Sequence, residues 1–197
     1  MATYTLYDKD GNELIHNDLQ KKLEWCKDGE RLETRFLTLY GEKLGLRLNE
    51  EKVSDPTVPD FIHTESGRYV DLKSQTTPFF QSHKYGVDPQ YAVTLNKIDV
   101  DRYYQLYPGI IVLYHVNWIA VKMVSGYGKT TEEKAMEGIW AATINKIKAM
   151  CTPENLHAYL QRTNDKQGNA RDSYVLNLKH HYFKVIDDDK QSLKRLN

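Results

Sequence analysis

Cysteine is scarce in this sequence of 197 residues, which contains Cys26 and Cys151 and no other. The two lie far apart, and neither belongs to a pair with the spacing of metal ligands. We therefore expect neither a disulfide framework nor a structural zinc site. Reduced thiols are typical of the cytoplasm, and a cytoplasmic location is what the composition favours.

An excess of charge is also absent, because 27 Lys and Arg residues balance 27 Asp and Glu residues. No overall basic field draws such a chain to nucleic acid or to an anionic membrane. Binding to nucleic acid would require a local basic patch or metal ions held by carboxylates. The composition argues against a protein that coats nucleic acid indiscriminately, and it is compatible with an enzyme that has one charged groove.

A long uninterrupted apolar run is the third missing feature. The most apolar stretch, residues 110–124, contains His115, Asn117 and Lys122, so it predicts a core strand and not a membrane span. Residues 1–10 lack the basic and apolar regions of a secretory signal. We expect no membrane partner.

The sequence does contain alternating helix and strand patterns, with no internal repeat or linker. It predicts one mixed α/β domain over residues 1–197, with a core at about 29–150 and an N-terminal hairpin and a C-terminal helix and strand as additions. The predicted elements are a hairpin (3–16), helices from Asn17 or Asp18 to 27 and over 30–44 with Gly29 between them, a polar loop (49–58), a hairpin (59–75), a loop (76–89), a strand (90–95), a helix (100–106), a strand (110–124), helices (132–150 and 153–162), a loop (164–172), a strand (173–186) and a fraying tail from 187.

The second predicted hairpin carries Pro59-Asp60 on its first arm and Asp71-Leu72-Lys73 on its second, with ten residues between the two aspartates. Because side chains alternate along a strand, Asp71 and Lys73 project from one face. If the arms pair in register, Asp60 joins them. Close carboxylates repel one another unless a cation lies between them, and hard oxygen ligands suit Mg²⁺. In the alternative interpretation, Asp60 is a turn residue and the Asp71–Lys73 face meets solvent.

This pattern of Asp60, Asp71 and Lys73 resembles the signature of the PD-(D/E)XK, or restriction-endonuclease-like, nuclease superfamily. The resemblance implies a mixed central β-sheet flanked by helices. It implies hydrolysis of phosphodiester bonds, most often in DNA, with Mg²⁺ as cofactor and Mn²⁺ as its substitute. It also implies an acidic residue on the first core helix, for which Glu33 is the favoured candidate and Glu30, one turn earlier, the alternative.

The resemblance also assigns roles to individual residues. The predicted catalytic residues are Asp60, Asp71, Lys73, Glu33 and Gln75. The predicted metal ligands are Asp60, Asp71, the Leu72 carbonyl and, through water, Glu33. Lys73 is expected to orient or deprotonate the attacking water and to neutralise developing charge.

Contacts with DNA are predicted in two loops. The first, residues 76–85, directly follows the strand that carries Lys73, and loops beside a rigid site commonly hold residues that read the substrate. The candidate contacts are Gln81, His83, Lys84 and, in the second loop, Lys129. The alternative is that Phe79 and Phe80 anchor the first loop to the core while its polar side chains face water.

The sequence therefore predicts a metal-dependent nuclease, most simply a DNA endonuclease. One alternative is a nuclease-fold protein that binds nucleic acid without cutting it, and another is a structural interaction domain that binds no metal. Small enzymes that cut both strands often dimerise so that two sites face two strands, so a homodimer fits the prediction.

Overall fold

The computed structural model describes residues 4–14, 22–159, 171–186 and 193–196, with the side chains of the first helix described from residue 31 onward. The elements in chain order are β1 (Tyr4–Tyr7), β2 (Glu13–Leu14), α1 (Lys22–Leu44), β3 (Leu46–Leu48), β4 (Phe61–His63), β5 (Tyr69–Gln75), β6 (Ala92–Asn96), α2 (Lys97–Leu106), β7 (Ile111–Asn117), β8 (Lys122–Ser125), β9 (Thr130–Glu132), β10 (Glu137–Thr143), α3 (Ile144–Met150), β11 (Leu156–His157), β12 (Ser173–Asn177) and β13 (Lys184–Val185).

The central sheet has the strand order β13-β10-β7-β5-β4-β3. It is mixed, because β5 runs parallel to β7 while its other pairs are antiparallel. Two smaller sheets have the orders β2-β1-β8-β9 and β11-β12-β6. The predicted mixed α/β class is confirmed.

Helix α1 is continuous from Lys22 to Leu44, so the predicted break at Gly29 is wrong. One glycine inside a helix costs only about 1 kcal/mol relative to alanine. Burial of Phe36 and Leu44 against the central sheet offsets this cost. The helix ends at Leu44, as predicted, and the next residue, Gly45, has a φ of +63° that favours glycine. The predicted cap at Asn17 or Asp18 lies outside the described residues.

Both predicted hairpins are present, as β1 with β2 and as β4 with β5. In the second, Phe61 lies opposite Val70 and Ile62 opposite Tyr69. The turn contains Gly67, whose φ is +67°. The predicted polar loop at 49–58 contains a short 3₁₀ turn at Glu50–Val53, and this turn enters the site described below.

The apolar stretch 110–124 is not one strand. It divides into β7 in the central sheet and β8 in a smaller sheet. Between them, Trp118 donates its backbone N–H to Met136 O and Ile119 donates to Thr76 O. These contacts turn the chain out of one sheet and into the other.

The predicted amphipathic helix at 132–150 is also wrong over most of its length. Residues Glu137–Thr143 form β10 and pair with β7 along their whole length, and only Ile144–Met150 is helical. Strand β10 is covered on both faces, since Ile139 and Ala141 join one core cluster while Ala142 joins another. A strand buried on both faces has a continuous apolar run, whose periodicity does not distinguish it from a helix.

The C-terminal predictions need similar correction. The expected helix at 153–162 is a 3₁₀ turn at Pro153–Asn155 followed by β11, and residues 160–170 lie outside the described part. The expected strand at 173–186 is two short strands in different sheets. Of the tail that was expected to fray, residues 187–192 and 197 lie outside the described part. The expectation is wrong for the described residues, because Leu193 and Leu196 are buried in the core and Arg68 Nη1 donates to Leu196 O at 2.6 Å.

Strand β5 positions several of the candidate site residues. Val70 and Leu72 pack with Phe36 of α1 on one face of the sheet. The alternate residues therefore project from the other face, where α2 and β6 lie. Within the described ranges, no helix combines the length and the apolar surface that a bilayer crossing requires.

Candidate active site

Asp60 is fixed immediately before β4 by a buried asparagine. The Asn49 side chain donates to Pro59 O at 2.9 Å, and the Asn49 backbone N–H donates to Asp60 O at 3.0 Å. The register of the hairpin places Asp60 across from Asp71, beyond the last paired residues. There Asp60 Oδ2 accepts a hydrogen bond from the Leu72 N–H at 2.8 Å. Asp60 therefore joins the two strands through its side chain where the backbone pairing stops.

Asp71, Lys73 and Gln75 share one face of β5, as their spacing predicts. Lys73 Nζ lies 2.8 Å from Asp71 Oδ2, and Asp71 is almost fully buried. Gln75 instead donates its amide to the Thr94 backbone oxygen on β6 at 3.0 Å. The predicted carboxylate and ammonium pair is formed, while the Gln75 side chain is held by a neighbouring strand.

Glu33 reaches this region through a residue that the sequence did not single out. Lys52, in the 3₁₀ turn, places its Nζ 2.5 Å from Glu33 Oε2 and also against Asp60 Oδ1. The ammonium thus bridges the α1 carboxylate and the hairpin carboxylate. Glu33 is the acid that this contact brings to the site, and the side chain of Glu30 lies outside the described residues.

Three residues of α2 complete the charge network. Tyr103 donates its hydroxyl to Asp71 Oδ1 at 2.6 Å. Asp99 lies 3.4 Å from Lys73 Nζ and accepts from Arg102 Nη2 at 2.9 Å. Lys73 is consequently held between two carboxylates, one from β5 and one from α2.

The sequence offered only a weak signal for these helix residues. The spacing i, i+3 and i+4 places Asp99, Arg102 and Tyr103 on one face of α2. Asp99 and Tyr103 are buried, as is the neighbouring Val100. Charged residues on a buried face point to a polar site. Lys52 gave no such signal, because it lies in a loop and its contact with Glu33 spans 19 residues.

The electrostatics follow from this burial. Burial raises the pKa of the Asp71 carboxyl to about 6, although the Lys73 ammonium opposes the shift. Burial, with the nearby charge of Glu33, raises the pKa of Asp60. For Lys52, burial alone would favour the neutral amine, but Asp60 and Glu33 raise its pKa. Burial acts in the same way on Lys73, and Asp71 raises its pKa well above the ordinary value. Both lysines therefore carry their charge at neutral pH.

The two predicted DNA-contacting loops lie at the surface. Gln81, His83 and Lys84 are exposed, and Lys84 Nζ donates to Gln81 Oε1 at 2.9 Å. The loop is anchored by its aromatic residues, since Phe80 is buried against Leu6 and Ala120, and Phe79 packs on Tyr85 near Val87. The anchoring that the alternative interpretation required is present. Lys129 is exposed in the turn between β8 and β9.

The carboxylates of the site are of the kind that bind a divalent cation. Glu33, Asp60 and Asp71 offer carboxylate oxygens, the ligands that Mg²⁺ prefers, and a cationic group already bridges two of them. Among the residues that the structure describes, no three or more His, Cys, Asp and Glu side chains are arranged to hold a metal ion. The chemistry of the donors therefore fits Mg²⁺, while the oxygens of Asp60 and Asp71 are engaged by protein groups.

Comparison with known proteins adds no family to this description. The chain matches no protein-family model, no curated protein and no solved structure. The resemblance to PD-(D/E)XK nucleases stays a prediction from the motif.

Proposed function

We propose that this chain is a divalent-metal-dependent nuclease with a restriction-endonuclease-like core that hydrolyses phosphodiester bonds in DNA. The observation that carries the proposal is the convergence of Asp60, Asp71 and Lys73, with Glu33 joined to them through Lys52. These five residues come from four separate segments of the chain. A solvated strand face would not need Asp60 and Asp71 to be buried, nor their charges to be compensated by lysines.

In this proposal Asp60 and Asp71, with the Leu72 carbonyl, would hold Mg²⁺. When bound, the ion would supply an activated water and would stabilise negative charge on the phosphate. The Leu72 N–H holds Asp60 in place, and the Tyr103 hydroxyl does the same for Asp71. The ligand oxygens are thus oriented by groups on rigid elements before a cation arrives.

Lys73 serves as a fixed positive charge. Its pKa is raised, so at neutral pH it carries three protons and has no lone pair with which to accept another. It therefore stabilises charge that develops on the phosphate, and the part of the sequence prediction that made it a base is not favoured. Asp99 positions the ammonium from the side opposite Asp71.

The carboxylates of the site already have protein partners, and this favours a second candidate. It is a protein of the same fold that binds nucleic acid without cutting it. Both oxygens of Asp60 and both oxygens of Asp71 have a hydrogen-bonding or ionic partner within the protein. A site that had lost its chemistry would keep these partners and would bind no metal.

A plasmid assay separates the two candidates. Supercoiled plasmid is incubated with the protein in Mg²⁺, in Mn²⁺ and in EDTA, and binding is measured in parallel by gel shift. A nuclease converts the plasmid to nicked or linear forms in either metal and does nothing in EDTA. Asp60→Asn and Asp71→Asn should each abolish cleavage, whereas Asp88→Asn, an exposed carboxylate in a loop, should not. Binding without cleavage in any metal would support the second candidate.

A cleavage assay with branched and single-stranded substrates then defines the substrate class. Sedimentation with and without DNA tests the homodimer. The cytoplasmic location remains the prediction that the scarcity of cysteine supports.

A further inference from the structure

Lys52 occupies an unusual place in the site. Its side chain is 18% exposed, and its single ammonium contacts both Glu33 and Asp60. Asn49, which fixes Asp60, also positions the turn that carries Lys52. Asn49 binds the backbone of Pro59 and Asp60, and it also caps the 3₁₀ turn, where Lys52 N donates to Asn49 O at 3.1 Å. The position of Lys52 beside Asp60 is therefore fixed by the fold.

The charge balance at this point is incomplete. One ammonium carries a single positive charge between two carboxylates, so the trio of Glu33, Lys52 and Asp60 keeps a net charge of about −1 when both acids are ionised. A divalent cation held by Asp60 and Asp71, with Glu33 reached through water, would supply the missing positive charge and would bind an oxygen of Asp60 directly. The ion and the Lys52 ammonium therefore compete at Asp60, because a divalent ion repels an ammonium that lies within hydrogen-bonding distance of its ligand.

Lys52 is also able to leave. Its ammonium lies at the end of a flexible four-carbon stem, and its backbone is held separately by the 3₁₀ turn. A change of rotamers along this stem would move the ammonium off the two carboxylates. Lys73 is likewise held between two carboxylates, Asp71 and Asp99.

We propose that Lys52 is a built-in competitor for the metal ion. It holds Glu33 and Asp60 together in the metal-free protein, it moves off their oxygens when a divalent cation binds, and it thereby weakens the metal affinity of the site. The inference rests on the proposed metal site at Asp60 and Asp71. It gives Lys52 a role that is distinct from the charge stabilisation proposed for Lys73.

The test compares the metal affinities of Lys52→Met and wild type. Calorimetry measures them in titrations with Mg²⁺ and Mn²⁺ in the absence of DNA. Methionine keeps an unbranched apolar stem and removes the charge. The matched control is Lys97→Met, which removes one ammonium from Asp101 on α2 while Lys148 remains bound to that carboxylate. We expect Lys52→Met to bind either metal about tenfold more tightly or better, and Lys97→Met to stay within about twofold of wild type.

Thermal denaturation gives a second readout. Without metal, Lys52→Met should melt below wild type because Glu33 and Asp60 then repel each other. Its melting temperature should rise more than that of wild type when Mg²⁺ is added, since a ligand that binds more tightly stabilises the folded state more at the same concentration. If Lys52→Met fails to fold without metal, Lys52→Gln provides the same comparison, because its amide still donates to a carboxylate but carries no charge.

The outcomes distinguish this inference from the proposed function. Unchanged or weaker metal affinity in Lys52→Met and Lys52→Gln overturns the competitor role even if wild type cleaves DNA. Tighter metal binding in these variants supports the role even if wild type cleaves nothing, and in that case only the nuclease proposal fails. Absence of metal binding in wild type and in both variants overturns the inference.

Discussion

Tyr103 donates its hydroxyl to Asp71 Oδ1 across 2.6 Å, from the centre of α2 to the middle of β5. Both residues are nearly fully buried, and 32 residues of sequence separate them. The hydrogen bond orients one oxygen of the proposed metal ligand, while Lys73 pairs with the other. It also joins the central sheet to α2, so the site and the packing of the helix depend on the same contact.

Replacement of Tyr103 by phenylalanine tests this contact. Tyr103→Phe leaves a buried carboxylate without its donor, so the free energy of unfolding should fall by about 1–3 kcal/mol. The pKa of Asp71 should rise above its value of about 6, because the hydrogen bond from Tyr103 lowers it. Urea denaturation measures the stability. Tyr104→Phe on the same helix is the control, since Tyr104 is 48% exposed, and an equal loss in both variants would contradict the assigned role.

Replacement of Lys73 tests its role as a fixed charge. Lys73→Ala should reduce the rate of cleavage by on the order of 10²-fold or more, and DNA affinity should stay nearly unchanged. Lys97→Ala, which removes a surface lysine from α2, should leave both unchanged. Single-turnover cleavage and a binding titration in Ca²⁺ provide the two measurements. Equal losses of rate and affinity in Lys73→Ala would instead identify Lys73 as a phosphate anchor.

The part of the site that could be predicted from the sequence is the part that is local. Asp60, Asp71 and Lys73 lie on two arms of one hairpin, so the turn at Gly67 and the alternation of β5 were enough to bring them together. Glu33 required the family resemblance, because nothing in the helix pattern alone distinguishes it from other acids of α1.

The remaining contacts are tertiary. Lys52 and Asp99 reach the site from a loop and from a second helix, and no short-range pattern specifies those distances. The helix predicted at 132–150 failed for a related reason. Strand β10 takes its continuous apolar run from burial on both faces, and this burial exists only once a core cluster has packed on each face of the sheet.

The raised pKa of Asp71 predicts a pH dependence of stability in EDTA. The folded protein keeps the Asp71 proton up to a pH of about 6, whereas an unfolded aspartate releases it near 3.8. Between these values the folded state binds more protons than the unfolded state, so the free energy of unfolding falls as the pH rises through this window. The contribution of Asp71 amounts to on the order of 3 kcal/mol.

A comparison with Asp71→Asn isolates this contribution. Asparagine does not titrate, and its side-chain oxygen can still accept from Tyr103. The stability of wild type relative to Asp71→Asn should therefore decrease from pH 4 to pH 6 and then level off. Carboxyls that do not interact with Asp71 titrate alike in both proteins and cancel in the difference. A difference that is flat across this range, or that increases with pH, would show that Asp71 is ionised throughout.

The path of DNA is tested by Lys84, which is exposed in the loop that follows β5. In the free protein its ammonium is bound only by Gln81 among the described contacts, so it can exchange this neutral partner for a phosphate at little cost. Each phosphate contact releases about one condensed counterion. Lys84→Ala should therefore reduce the slope of log affinity against log salt concentration by about one unit. Its melting temperature should not change, because the loop is anchored by Phe79 and Phe80 and not by Lys84.

Lys146→Ala on α3 serves as the comparison for loss of a lysine away from this loop. A salt slope that is unchanged in Lys84→Ala but reduced in Lys129→Ala would place the DNA along the turn between β8 and β9 instead.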